Sequence, residues 1–243
     1  MSLFHRDYVS CPYCANEQEM LIWDYVDIGL DPDLKERLLR KEIQSFVCDN
    51  CGEDVVLAEP LLYADPGARL LIYYAPQWKL RLDEADATET GRDALRQAMT
   101  DVNLPGALQE RLSGDAEAGK AWRLRLVGSY NLLIEAVLVR AAGLDDRLMA
   151  VLKLALRSRY REDEGIQLDE LCFVAATEEN LIFQALDHQQ GWQSLTTERK
   201  LYDRSAAVLA SRLEPDGNWE TLGENWAARF LQTAAEAFRP QGA

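Results

Sequence analysis

The chain is 243 residues long, 48% hydrophobic and 28% charged, and carries a formal net charge of −15. That balance excludes a disordered chain, and the length suits one large domain or two small ones. So acidic a surface disfavours nucleic acid, whose binders cluster Lys and Arg, and no run approaches the roughly 18 uncharged apolar residues of a membrane span.

Met1 to Ser10 holds His5, Arg6 and Asp7 in place of an apolar run, so no secretory leader is expected. A first cysteine pair follows at once, Cys11-Pro12-Tyr13-Cys14, with Pro12 restricting φ inside the turn. Met20 to Val26 reads as a strand. Asp31 to Arg40 reads as a short helix with Asp31 at the N-cap, Pro32 at the first helical position, and Leu34 and Leu38 as its buried stripe. Gln44 to Val47 leads as a strand into the second pair, Cys48-Asp49-Asn50-Cys51-Gly52, where Gly52 permits a positive φ.

Asp54–Ala58, Leu61–Ala64 and Leu70–Tyr74 are expected as strands, the last two joined by a turn at Asp65-Pro66-Gly67. Together with the earlier runs they predict a small antiparallel sheet. Asp93–Val102 and Leu104–Leu112 read as short helices broken at Pro105-Gly106, and Ser113–Lys120 as a mobile linker. Trp122–Val127 alternates like a half-buried strand. Ser129 caps a helix from Tyr130 to Ala142, Gly143 ends it, and Asp145 caps the next, which runs from Asp146 to about Tyr160. Leu171–Ala176 and Leu181–Leu186 form a hairpin. Helices over about Leu195–Leu213 and Glu224–Phe238 close the chain, the last with Trp226, Phe230 and Ala234 on one face.

The chemistry lies in Cys11, Cys14, Cys48 and Cys51. Two CxxC pairs can offer four thiolates to one tetrahedral Zn²⁺. The 33 residues between Cys14 and Cys48 exceed the usual spacing of about 15–20. Doubling a closed loop costs only about 0.6 kcal/mol, and a structured insert costs less. Inert core cysteines and a redox dithiol are the alternative readings, and a redox dithiol usually acts alone beside a βαβ unit. Bound thiolates also fit a reducing compartment, so the protein is expected in the cytoplasm. A closed Cys₄ site has no vacancy for hydrolysis, and with only His5 and His188 present no two-histidine metalloenzyme motif exists. No GxSxG, GxGxxG or P-loop occurs either, so no catalytic residues are assigned. Asp145-Asp146 is read as helix capping, His5 and His188 as surface residues, Cys172 as a core thiol, and Trp226 and Phe230 as core aromatics. Arg157-Ser158-Arg159-Tyr160-Arg161, the best basic cluster, is read as a solvated helix end.

The two cysteine motifs resemble those of the CpXC family, bacterial proteins named for them. The first motif matches cleanly; the second has Asp49 where the family often has Pro. Asp31-Pro32, Pro60-Leu61-Leu62-Tyr63, Tyr73-Tyr74-Ala75-Pro76, Asn131-Leu132-Leu133-Ile134-Glu135 and Gly143-Leu144-Asp145-Asp146-Arg147-Leu148 extend the resemblance over most of the chain. It implies a zinc-ribbon-like N-terminal part and brings no activity, substrate or partner with it.

The expectation is therefore an α+β protein: a β-rich zinc ribbon with an inserted helix, then a mostly helical half containing a β-hairpin. Its expected parts are residues 1–80, a helical connector at 81–120, and an α+β domain at 121–243. The expected function is a non-enzymatic structural-zinc protein that acts on a protein partner. A nucleic-acid-binding or transcription-associated zinc ribbon, or an enzyme with an unmarked pocket in the C-terminal half, are the alternatives.

Overall fold

The computed structural model describes residues 1–76 and 104–236, a mixed α/β chain with six helices and eleven strands among them. It divides into two compact units, the first holding residues 1–76, 104–134 and 216–220 of the described chain, the second 135–215 and 221–236. The expected helix over Asp93–Val102 lies outside the described residues.

The first unit is built on a six-stranded sheet: β1 (Leu3–Ser10), β2 (Glu17–Asp27), β5 (Leu61–Asp65), β6 (Leu70–Tyr74), β7 (Arg123–Val127) and β11 (Trp219–Glu220), in that order. The sheet is mixed and not antiparallel as expected: β2 runs parallel to β5, β6 to β7 and β7 to β11. β7, expected to open the second domain, belongs here because its register with β6 runs unbroken from Leu70–Arg123 to Tyr74–Val127. Its alternation is also not half-exposed. Arg123 and Arg125 are buried and ion-paired to Asp216 and Glu220, contacts between distant residues that a local pattern cannot foresee.

One face of this sheet presents Tyr25, Leu62, Ala64 and Leu71 to α2 (Gly106–Glu117), whose Leu108 is buried there. α2 runs through most of the expected Ser113–Lys120 linker. Asp115 on its last turn accepts the Trp122 indole N–H at 2.7 Å, which gives that polar stretch a reason to stay helical. On the other side of the chain order, α1 (Asp33–Leu39) buries Leu34 and Leu38 as predicted. Pro32, and not Asp31, is its N-cap. The Asp31 carboxylate accepts the Ser2 N–H instead, and that bond holds its pKa below the usual carboxylate range. β3 (Ser45–Val47) and β4 (Asp54–Val56) make a separate two-stranded hairpin.

The second unit pairs an antiparallel sheet, β10–β9–β8, with helices. β8 (Leu168–Ala176) and β9 (Asn180–Asp187) are the predicted hairpin, but it has a third strand. β10 (Gly191–Glu198) takes the start of the expected Leu195–Leu213 helix, and α5 (Arg199–Leu209) begins only after it. Two features stop the helix. The Asp187 carboxylate accepts the N–H groups of Gln189 and Gln190, and Gly191 has φ +76°, a tight turn that sends the chain back along β9. Thr196 and Thr197 then suit a strand, with Leu195 and Thr197 buried on its inner face. α3 (Tyr130–Ala141), whose first five residues belong to the first unit and the rest to the second, follows its Ser129 cap. α4 (Asp146–Asp163) has the Asp145 side chain accepting the Arg147 N–H, as predicted. α6 (Glu224–Glu236) stacks Trp226 on Phe230 with centroids 5.2 Å apart and buries Ala234. No described helix is long and apolar enough to cross a membrane.

Candidate metal centre

β1 and β2 form one antiparallel hairpin, with Cys11 to Asn16 as its tip. β3 and β4 form another, with Cys48 to Glu53 as its tip. The two tips have the same backbone bonding. In the first, Cys11 N–H donates to the Asn16 carbonyl at 2.8 Å and Ala15 N–H to the Cys11 carbonyl at 2.8 Å. In the second, Cys48 N–H donates to Glu53 at 2.9 Å and Gly52 N–H to Cys48 at 2.8 Å. Such a turn curls the backbone around the first cysteine and brings the second back beside it.

The tips meet. The four sulfurs of Cys11, Cys14, Cys48 and Cys51 lie within 4.8 Å of one another. Two contacts cross between the turns: Cys11 Sγ to Cys51 Sγ at 3.7 Å, and Cys14 Sγ to Cys48 Sγ at 3.6 Å. Zn–S bonds of about 2.3 Å in a tetrahedron would put the sulfurs about 3.8 Å apart. The four thiols could therefore hold a metal ion, and their donor set suits a thiophilic one.

The setting explains how the sulfurs are held. Cys11 and Cys48 are buried in a small core with Ile22, Phe46, Val55 and Leu57, while Cys14 is half-buried and Cys51 exposed. Gln18 ties the hairpins together: its amide donates to the Val47 carbonyl at 3.4 Å, and its oxygen accepts the Asp49 N–H at 3.0 Å. Gln44 is a second tie, 1% exposed, clasping both the N–H and the carbonyl of Trp23. Neither glutamine is marked in the sequence, since a long-range clasp leaves no local pattern. Asn50, inside the second motif, likewise carries no ligand signal in the sequence.

The thiols are electrostatically unequal. The Asn50 side chain, then the Asn16 N–H, hold the Cys14 thiol down at about 6. The N–H of Cys51, then that of Asn50, lower Cys48. For Cys51 the Glu53 N–H acts downward, but desolvation and the sulfurs of Cys14, Cys48 and Cys11 win and push it up to about 12. Four thiolates this close repel one another, and a bound cation would relieve that repulsion.

The remaining sequence candidates lie apart. His5 does not join the cysteines; its Nδ1 bonds Asp24 at 2.9 Å. His188 is exposed, 3.6 Å from Asp169. Asp145 caps α4. Cys172, on β8, stands alone, its thiol pushed up to about 11 by burial and then by the Glu135 carboxylate. The basic run is engaged: Arg157 pairs with Glu224, and Arg159 with Asp163.

Paired hairpin tips converging four cysteines define a protein with a Cys₄ cluster able to hold a metal. The family model described as CpXC protein matches residues 9–153, well over half of the chain, and the chain belongs to that family. Neither the curated proteins nor the solved structures give a match.

Proposed function

We propose that Cys11, Cys14, Cys48 and Cys51 hold one structural Zn²⁺ in a zinc-ribbon-like pair of hairpins, and that the protein works by contacting other proteins. The observation that carries this is the convergence of four sulfurs within 4.8 Å from two turns of identical bonding. Four thiolates close the coordination sphere, so the ion serves folding and leaves no position for a substrate. The short β3–β4 hairpin pairs with no other strand and the core beneath the cysteines is small, so metal binding adds to the few ties that Gln18 and Gln44 supply.

Two features favour protein contact. The charge of −15 repels phosphate backbones. Large apolar side chains are exposed on the cysteine-bearing hairpins, among them Tyr13 beside Cys14 and Val47 beside Cys48. A reducing compartment, the cytoplasm, matches thiols kept for metal.

The test compares wild type with Cys48→Ser. Wild type should carry one zinc per chain and retain bound proteins on affinity capture from its host. The variant should lose both. Metal-free wild type, or a variant that keeps metal and partners unchanged, would refute the reading.

A further inference from the structure

β1 is an edge strand of the six-stranded sheet: it pairs with β2 on one side, and no described strand lies on its other. Such an edge offers a row of main-chain donors and acceptors to another chain. Its side chains are unusual for an edge left to water. Leu3, Phe4 and Tyr8 are 46%, 51% and 70% exposed, three large apolar residues on eight positions. The strand also carries no formal net charge, one Arg6 against one Asp7, in a chain of net charge −15.

The backbone indicates which groups face outward. The Tyr8 N–H donates to the adjacent Asp7 carboxylate at 2.8 Å, and the Cys11–Asn16 bond with the register that follows it puts the bonded pairs with β2 at Val9, Asp7 and His5. Tyr8 and, by alternation, Arg6 and Phe4 therefore direct their main-chain groups to the open edge. We infer that β1 pairs antiparallel with β1 of a second copy of this chain, about a two-fold axis normal to the sheet at Arg6.

A two-fold contact joins the same patch from both copies, so the strand must complement itself. Centred on Arg6 it does. Phe4 falls opposite Tyr8 of the second copy as a main-chain-bonded aromatic pair, and Leu3 opposite Val9. His5 falls opposite Asp7, in the pairs whose side chains approach most closely. His5 uses Nδ1 on Asp24 and has Nε2 left for that carboxylate. Pairing gives the Tyr8 N–H a main-chain acceptor, which frees the Asp7 carboxylate to face His5. The two Arg6 side chains meet at the axis, each already ion-paired with its own Glu19 at 3.2 Å. Sliding the register by one step sets Asp7 against Asp7 and leaves Leu3 unmatched. Of the residues paired here only Val9 packs on the core beneath the cysteines, and β1 is held by β2 within the six-stranded sheet, so the interface stands whether or not the cluster holds zinc.

The test is sedimentation of the full-length protein with metal content measured on the same samples. Wild type should sediment at twice its 27.5 kDa chain mass at micromolar concentration. Tyr8→Pro removes an outward N–H that β2 does not use, so it should weaken association about tenfold or more with its circular dichroism unchanged. Asp7→Lys, which turns the pair with His5 repulsive, should do the same without altering the backbone. Under mild oxidation Arg6→Cys should form a disulfide between copies, since bonded antiparallel residues sit about 5.5 Å apart, within disulfide reach. Asp7→Cys should not. A wild type that stays monomeric at its highest soluble concentration overturns the inference, as does a dimer indifferent to both Tyr8→Pro and Asp7→Lys. A metal-free dimer would overturn the zinc reading alone, and a zinc-loaded monomer the dimer alone.

Discussion

Ala15 and Gly52 occupy the same place in two cysteine turns, both in the left-handed region, with φ of 57° and 75°. Each donates its N–H to the carbonyl of the first cysteine of its turn at 2.8 Å. The second turn uses the residue that this conformation favours, whereas the first uses alanine and carries the strain.

Exchanging these residues should therefore have opposite effects. Gly52→Ala meets nothing within 4 Å, so its cost is conformational, about 1–2 kcal/mol of unfolding free energy. Ala15→Gly should raise stability by up to about 1 kcal/mol, after the extra freedom of glycine in the unfolded chain is deducted. Denaturant midpoints of metal-loaded protein measure both, and equal destabilisation by the two changes would contradict the pairing of the turns.

Gln44 satisfies the Trp23 N–H and carbonyl from a position 1% exposed. Gln44→Leu would leave both groups buried without partners, at about 1–3 kcal/mol each. The loss should appear in urea unfolding, and an unchanged midpoint would mean that the clasp contributes nothing.

Tyr63 is the reverse case: its hydroxyl is the one buried side-chain polar atom among the described residues without a hydrogen-bond partner. Burial, and then the charge of Asp65, push its pKa up. Tyr63→Phe should be neutral or should stabilise by about 1 kcal/mol, because removing an unsatisfied group costs no bond. Thermal unfolding tests it, with a clear drop in Tm as the contrary result.

His5 should titrate above 6.5, its hydrogen bond to Asp24 favouring the charged ring. A raised folded-state pKa contributes stability that is complete below the unfolded value and lost as pH rises through the folded one. Both groups are about half exposed, so the effect is small. A ¹H NMR titration should show the shift, and Asp24→Asn should return it toward 6.5.

Local chemistry made several elements readable before any coordinates. The Ser129 and Asp145 caps, the glycine stop at Gly143 and the β8–β9 hairpin each depend on a few neighbouring residues, and each stands where it was expected. Both CxxC motifs were legible for the same reason. The errors share a different origin. β7 joins the first sheet through parallel pairing with β6 across more than fifty residues, and the burial of Arg123 and Arg125 depends on Asp216 and Glu220. Gln18 and Gln44 act on strands far along the chain, and β10 forms because Asp187 and Gly191 turn the chain where apolar spacing alone suggested helix. Composition and periodicity report neighbours along the chain, and these features are set by neighbours in space.

The zinc reading is tested most directly by metal and thiol counting on protein purified without added metal. The account predicts one zinc per chain and four thiols unreactive to an aromatic disulfide until a strong chelator is added, with Cys172 accounting for the fifth cysteine. Chelation should release the four together and unfold the short β3–β4 hairpin, which pairs with no other strand, as expected where metal affinity is coupled to folding. Native protein with no metal and four freely reacting thiols in Cys11, Cys14, Cys48 and Cys51 would contradict it.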